Sequence, residues 1–102
     1  MPLPRNSINT ASVSWVDQSG QVHIRVYTTD GYTITERCFD KGGWTDGAFK
    51  ASGDEVSATM WVKDDASNIR VYCTFQGKTI EWCVDKGSAD WYQGAYTIGG
   101  TT

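Results

Sequence analysis

The sequence predicts an all-β protein made of two four-stranded blades of the kind that build a β-propeller. The segment 24–49 is nearly repeated at 69–96, which gives a repeat unit of about 45 residues. Both copies consist of short runs rich in Val, Ile, Thr, Tyr and Trp between Gly and Asp turns, and helical periodicity is absent. About 45 residues with four strands is the size of one propeller blade.

Eight strands are predicted from these runs, and residues 1–102 are taken as a single two-repeat domain. Blade 1, about residues 12–54, has predicted strands at 12–17, 22–28, 33–39 and 46–50. Blade 2, about residues 55–98, has predicted strands at 57–62, 68–74, 78–84 and 93–98. The polar segment 50–57 connects the blades, and the two copies align with one insertion in blade 2, Ser88 and Ala89.

The turn between the second and third strands decides which side chains face each other. The Asp-Gly pair of "TTDGYT" is expected to form a two-residue hairpin turn, because these residue types accept the positive φ that such turns require. Counting outward from that turn places Arg25 opposite Glu36 on adjacent antiparallel strands. In blade 2 the turn lies at 75–77 and its register stays open, although a bulge there would still leave Arg70 and Glu81 as neighbours.

Two blades on their own would leave sheet faces and strand edges uncovered. We therefore expect the chain to close a ring with copies of itself. Propellers typically have about 4 to 8 blades, so two-blade chains could close as dimers, trimers or tetramers. The sequence pattern by itself does not choose among these three.

Composition excludes several classes of function. A net charge of −3 and a pI near 4.9 give no broad positive field, so nucleic acid is not an expected partner. We expect a soluble protein without membrane insertion and without a classical signal peptide, either cytoplasmic or released by a non-classical route. The three cysteines match neither a zinc site nor a disulfide scaffold, so we expect free, mostly buried thiols and no metal or cofactor.

Each blade carries an Arg and a Glu eleven residues apart, followed by a W-x-x-G-A turn. A single such pair would be interpreted as an exposed salt bridge worth at most about 1 kcal/mol. Its recurrence beside a repeated tryptophan favours a binding site instead. A guanidinium fork, a carboxylate and an indole suit a sugar, which has hydroxyls on one edge and C–H groups on another. The turn glycine is expected to let a backbone amide approach the ligand.

An enzyme is not expected. A glycosidase needs two carboxylates about 5 to 9.5 Å apart with separated pKa values, whereas each blade offers one Glu that faces an Arg. The lone histidine, His23, is replaced by Asn68 in blade 2, which favours a surface role. Asp40 and Asp85 are expected to be turn residues. Trp15 and Trp61 are expected to pack in the core. Tyr27 and Tyr72 are expected to pack between blades.

The repeated skeleton I-R-V-Y, E-x-C-x-D-x-G and W-x-x-G-A-[FY], within residues 12–98, resembles the Aleuria-type fucose-binding lectins. It resembles in particular their short two-blade, Ralstonia lectin-like subgroup. It implies a homotrimer that completes a six-bladed β-propeller, with an L-fucose site between each pair of neighbouring blades. The implied function is multivalent binding of L-fucose and fucosylated glycans without catalysis. The alternative is a propeller that serves as a protein-interaction or structural module.

The resemblance implies two kinds of site, one within a chain and one between chains. The intra-chain site would take Ile24, Arg25, Glu36, Gly47, Ala48, Val84 and Trp91. The inter-chain site would take Phe39, Trp44, Ile69, Arg70, Glu81, Gly94 and Ala95, shared between neighbouring chains. In this scheme the Arg and Glu bind the ring oxygen and hydroxyls, the Ala amide binds another hydroxyl, and the Trp comes from the adjacent blade. Each Ile would help to enclose the methyl group that distinguishes fucose from galactose.

The residue after each repeat cysteine is Phe39 in blade 1 and Val84 in blade 2, where the short relatives favour Trp. Phe39 can stack on a sugar, an interaction of about 0.5–1.5 kcal/mol beyond burial, whereas Val84 offers apolar contact only. We therefore expect the inter-chain site to be the tighter one. The insertion of Ser88 and Ala89 lies beside the intra-chain site, and its effect on the shape of that site stays open.

Overall fold

A computed structural model describes residues 9–97 of the chain, which form eight strands and no helix. Blade 1 contains β1 Asn9–Val16, β2 Val22–Thr29, β3 Thr33–Asp40 and β4 Gly43–Ser52. Blade 2 contains β5 Glu55–Lys63, β6 Ala66–Phe75, β7 Lys78–Val84 and β8 Tyr92–Gln93. Over this range, accordingly, there is no helix that could cross a membrane.

Each blade is one antiparallel sheet with its strands in sequence order, β1-β2-β3-β4 and β5-β6-β7-β8. The predicted all-β class with two four-stranded sheets is thereby confirmed. The last strand differs most from its prediction at 93–98, since β8 ends at Gln93. One further bond, from the amide of Gly94 to the carbonyl of Glu81 at 2.8 Å, continues the pairing just beyond this end. Residue 98 lies outside the described residues.

The turn between β2 and β3 lies one residue later than predicted: the amide of Asp30 donates to the carbonyl of Thr33 at 3.2 Å, which leaves Gly31 and Tyr32 at the turn. The carboxylate of Asp30 accepts hydrogen bonds from the amides of Tyr32 and Thr33, each at 2.9 Å, which stabilises this turn. The equivalent turn of blade 2 is formed by Gln76 and Gly77, which have φ angles of 53° and 82°.

The one-residue displacement of the turn shifts the predicted pairing of β2 with β3 by two residues. Arg25 lies opposite Cys38, and Tyr27 lies opposite Glu36. The equivalent residues of blade 2 pair in the same way. Because a shift of two residues keeps every side chain on its own face of the sheet, the Arg and the Glu still share a face, as diagonal neighbours.

The core lies between the two blades, and the strands β1 and β5 run side by side. The face of blade 1 that carries Tyr27 packs on the face of blade 2 that carries Val71. Tyr72, the equivalent of Tyr27, lies on the other face of blade 2 from Val71. Opposite faces of the two blades therefore meet, which we call head-to-tail packing. The buried apolar residues of this core are Tyr27, Ile34, Phe49, Val56, Ile69, Val71 and Cys73.

Only Gly53 and Asp54 join β4 to β5, which is shorter than the predicted connection at 50–57. The amide of Gly53 donates to the carbonyl of Tyr32 at 2.9 Å, and its carbonyl accepts from the hydroxyl of Thr29. The amide of Asp54 donates to the carbonyl of Thr74 at 2.7 Å. These bonds tie the joint to both blades.

Candidate functional site

One face of each sheet gathers the same four polar side chains, which we call the polar group of that blade. The polar group of blade 1 is Arg25, Tyr27, Glu36 and Asp40, and that of blade 2 is Arg70, Tyr72, Glu81 and Asp85. Strand alternation explains the grouping, because residues two apart on a strand point to the same face.

The arginines pair with aspartates. Nη1 of Arg25 lies 3.1 Å from Oδ1 of Asp40, and Nη1 of Arg70 lies 2.8 Å from Oδ1 of Asp85. The Arg–Glu ion pairs that the sequence predicted do not form among the described residues, because the register shift brings the aspartate of each D-K-G motif to the arginine. Asp40 and Asp85 were predicted to be turn residues, and they also form ion pairs with the arginines.

Each glutamate is held by a tyrosine and a backbone amide. Glu36 accepts from the hydroxyl of Tyr27 at 2.8 Å and from the amide of Phe49 at 3.3 Å. Glu81 accepts from the hydroxyl of Tyr72 at 2.8 Å and from a matching amide of blade 2 at 3.1 Å. The bond from Tyr72 is the main cause that lowers the pKa of Glu81. That carboxylate is an ionised acceptor with a fixed orientation.

The glycine of each W-x-x-G-A motif makes room for the glutamate. A Cβ on Gly47 would lie 2.0 Å from Oε1 of Glu36, and a Cβ on Gly94 would lie 2.1 Å from Oε1 of Glu81. In blade 1 the pairing of β3 with β4 also shifts register opposite Glu36, as at a β-bulge. The glycine thus accommodates the protein's own carboxylate, in addition to any approach by a ligand.

Three tryptophans lie close to the polar groups. Trp91 of blade 2 packs on Phe49 and Tyr27 of blade 1, with ring centroids 4.6 and 6.2 Å apart. Trp15 and Trp61 lie under the arginine of their own blade, whose guanidinium carbons are 5.1 and 4.8 Å from the ring centroids. Trp61 is 45% exposed, so its predicted place in the core is wrong.

Comparison with models of protein families identifies the chain. The family model described as fungal fucose-specific lectin matches residues 2–101. The chain belongs to this lectin family. The resemblance drawn from the repeated motifs is confirmed at the level of the family, whose members are carbohydrate-binding proteins. A search of curated proteins found no match.

The apolar residues expected at the two sites of the lectin divide by sheet face. Ile24 points away from Arg25 and lies opposite Phe39, whose ring is 5.2 Å from that of Trp44. Ile69 is buried in the core between the blades. The expectation that each isoleucine serves the arginine beside it in sequence is wrong, since consecutive strand residues point to opposite faces.

The two polar groups of the lectin differ in what covers them. Blade 2 packs Ile69, Val84 and Trp91 into the boundary with blade 1, on the side of the blade 1 polar group. A cleft of about 350 Å³ lies along β3 and β4, and its lining, which comes from blade 1, includes Glu36 and Ala48. Within the part of the chain that the structure describes, no blade covers the polar group of blade 2.

Two pairs in the polar groups were not predicted as functional residues. Tyr27 and Tyr72 each hold a glutamate, and Asp40 and Asp85 each hold an arginine. The signal was present in the sequence, since each Tyr follows its Arg by two residues and each Asp follows its Arg by fifteen.

The cysteines of the lectin are free thiols, as predicted. Burial raises the pKa of Cys38 to about 11 and that of Cys73 to about 12, so both stay protonated near neutral pH. Residues 9–97 contain no cluster of three or more side chains that could hold a metal ion.

Proposed function

We propose that this lectin binds L-fucose and fucosylated glycans at the boundaries between adjacent blades. The observation that carries the proposal is the recurrence of the complete polar group, with its glycine beside the glutamate, at the same place in both blades. Cationic donors and an oriented carboxylate match the hydroxyl edge of a sugar, and an aromatic ring from the next blade matches its apolar face. Membership of the fungal fucose-specific lectin family supports fucose as the sugar.

The intra-chain site is based on the polar group of blade 1. Every hydrogen bond that the described residues accept from the guanidinium of Arg25 uses Nη1, which leaves Nη2 and Nε as donors for the sugar. Glu36 accepts from sugar hydroxyls, Gly47 keeps that carboxylate in place, and the amide of Ala48 binds a further hydroxyl.

Blade 2 supplies the wall of the intra-chain site. Trp91 donates its indole N–H and Val84 offers apolar contact. Ile69 encloses the methyl group in place of Ile24, because Ile69 lies on the face that blade 2 turns towards blade 1. The two isoleucines are thus exchanged relative to the assignment from the sequence.

The inter-chain site repeats this arrangement between two copies of the chain. Its polar half is Arg70, Glu81, Gly94 and Ala95, and its apolar half is Ile24, Phe39 and Trp44 of a neighbouring copy. In support of this, Trp44 on the outer face of blade 1 is 46% exposed, and Tyr96 near the polar group of blade 2 is 47% exposed. These two faces are equivalent to the faces that pack together inside the chain, so the same head-to-tail contact can repeat between copies and close a ring if the rotation completes a circle. On the family resemblance we assign this ring as a homotrimer with six blades.

Multivalency gives this lectin its useful affinity. Hydrogen bonds to charged groups contribute about 1.5–3 kcal/mol each, so a few of them with one stacked ring suit micromolar binding per site. Several sites on one ring then raise the avidity for a glycan-coated surface by about 10² to 10⁴.

Calorimetric titration with methyl α-L-fucoside tests the proposal, and the expected result is two sugars bound per chain. Methyl α-L-galactoside, which adds a hydroxyl to the methyl group, is the matched control and should bind more weakly. No heat and no thermal shift with the fucoside would leave a structural or protein-binding propeller as the better description.

Native mass spectrometry tests the ring. The expected mass is three times that of the 11.3 kDa chain. Any other multiple removes the six-bladed assembly, and a glycan array without preference for fucosylated structures removes the ligand.

A further inference from the structure

His23 links two carboxylates, one of which holds Arg25. Its Nε2 lies 2.8 Å from Oδ2 of Asp17, and its Nδ1 lies 2.5 Å from Oδ1 of Asp40. The same oxygen of Asp40 lies 3.1 Å from Nη1 of Arg25. The ring of Trp15 stacks on the imidazole with centroids 5.1 Å apart. The imidazole is therefore held at both nitrogens and on one face.

This geometry selects the protonated imidazole. A neutral histidine donates from one nitrogen only and presents a lone pair at the other. With a carboxylate at each nitrogen, only the imidazolium form of His23 satisfies both. The hydrogen bonds to Asp17 and Asp40 raise the pKa of His23 above its usual value of about 6.5.

Blade 2 supports its arginine differently. Asn68 stands in the place of His23, and its amide nitrogen donates to two backbone carbonyls of its own hairpin. Asp85 accepts instead from the hydroxyl of Tyr92. That bond raises the pKa of Tyr92 further above neutrality, so the support in blade 2 does not titrate near neutral pH.

We propose that His23 is a positioning residue that fixes Arg25 through Asp40, so that the intra-chain sugar site weakens when His23 loses its proton. The inference rests on the proposed function. A neutral His23 that keeps its proton on Nε2, where Asp17 makes the larger contribution to the raised pKa, turns the lone pair of Nδ1 towards Asp40. Asp40 then keeps Arg25 as its one anchor. Arg25 then keeps its charge but no longer has a single orientation. The expected loss of affinity is about three- to tenfold, as for one hydrogen bond to a charged group in a partly exposed network.

The pH range follows from the direction of the shift. Because the pKa of His23 is raised, the affinity is full below about pH 6.5 and falls as the pH rises through the raised value. The bond from His23 holds the pKa of Asp17 well below its usual range. Although burial opposes it, the bonds from His23 and Arg25 lower the pKa of Asp40. Both carboxylates therefore stay ionised throughout, and a methyl fucoside has no titrating group.

The charged groups around His23 come from three elements. Asp17 follows β1, Asp40 ends β3, and Arg25 lies on the same strand as His23. From blade 2, Asp65 accepts a hydrogen bond at 3.0 Å from the amide of the residue after Asp17. Of these groups, His23 is the one with a charge that changes between pH 6 and 9.

The experiment isolates each site by silencing the other. Arg70→Ala leaves the intra-chain site, and Arg25→Ala leaves the inter-chain site. The affinity for methyl α-L-fucoside is measured in both variants from pH 6 to about pH 9. The Arg70→Ala protein should lose affinity three- to tenfold with a midpoint at the titration of His23, and the Arg25→Ala protein should show a flat profile. Imidazole NMR gives that midpoint without ambiguity, since the chain has one histidine.

Two added substitutions make the test specific. His23→Asn, which introduces the residue found in blade 2, should give the Arg70→Ala protein a flat profile at the weaker affinity. Asp17→Asn keeps the histidine and removes one carboxylate, so it should move the midpoint to lower pH. A flat profile while His23 titrates, an unmoved midpoint in Asp17→Asn, or equal profiles in both backgrounds would each overturn the inference. Absence of fucoside binding by the unsubstituted lectin at every pH would instead reject the proposed function.

Discussion

The polar groups of the two blades contain the same residue types at the same spacing, yet they differ in burial. In blade 1, Tyr27 is 0% exposed and Glu36 is 6% exposed, whereas Tyr72 and Glu81 of blade 2 are half-buried. The bonds within each group are nearly identical, so the groups themselves do not cause the difference. Its cause is the neighbouring blade, which covers the first group and is missing over the second. Each group is complete as a polar cluster but needs a second blade to become enclosed.

The largest effect is expected from removing either arginine. Arg25→Ala and Arg70→Ala should each abolish one class of site and halve the number of fucosides bound per chain, because each loses two or more charge-assisted hydrogen bonds of about 1.5–3 kcal/mol. The measurement is calorimetric stoichiometry. The control is Arg37→Ala, since Arg37 lies on the opposite face in an exposed ion pair with Asp46. Unchanged stoichiometry in both site variants would remove the assignment of the arginines.

Adding a methyl group at Gly47 or Gly94 should destabilise the fold by different amounts in the two blades. Gly47→Ala forces the buried Glu36 out of place and should cost about 3 kcal/mol, at the upper end for overpacking. Gly94→Ala should cost less, because Glu81 has solvent to move into and the remaining close contact is with one atom, Sγ of the buried Cys83 at 2.7 Å. Sugar binding at its site should still be lost. Urea unfolding gives the comparison, with Gly43→Ala as control because a Cβ there meets nothing within 4 Å. Equal losses at residues 47 and 94 would contradict the difference in cover.

Removing one hydroxyl tests the same difference with a smaller change. Tyr27→Phe leaves the buried carboxylate of Glu36 without its best donor and should destabilise the fold by about 1.5 kcal/mol. Tyr72→Phe should have a weaker effect, since water can replace the hydroxyl at Glu81. Tyr32→Phe, at a side chain that is 73% exposed, is the control for thermal unfolding. If Tyr72→Phe proved the more destabilising, the second group would have to be covered too.

The smallest effect concerns the apolar walls of the two sites. Phe39→Ala should weaken the inter-chain site by about 0.5–1.5 kcal/mol, which is the value of a lost aromatic stack. Val84→Ala should change the affinity of the intra-chain site by less. Fucoside titration in the Arg25→Ala and Arg70→Ala backgrounds measures each site alone. The reverse order of effects would remove the predicted advantage of the inter-chain site.

The sequence predicted the fold well because the repeat length and the period-two pattern are global signals. It was wrong about the β2–β3 turn, where Asp and Gly favour a two-residue hairpin by type. The side chain of Asp30 instead stabilises a turn at Gly31 and Tyr32 by accepting hydrogen bonds from two amides. That outcome depends on a side-chain contact that residue preferences do not contain.

The candidate site was predicted in part. The placement of Arg25 and Glu36 on one face survived the register error, because the error was an even number of residues. Their partners were wrong, since the same error hid Asp40 and Tyr27. The misplacement of Ile24 was avoidable, because alternation along a strand already excludes it from the face of Arg25.

The joint at Gly53 and Asp54 fixes the curvature of the molecule. Hydrogen bonds tie these two residues to both blades, so the two blades are held in one relative orientation. If each blade occupies a fixed angle of the proposed ring, that angle sets the number of blades in the ring. Because the two blades of a chain are already held together, closing the proposed ring costs little further conformational entropy. A closed ring also has one more contact between copies than an open chain of the same number of copies. We therefore expect the proposed ring to assemble in an all-or-none manner, with short-lived open intermediates.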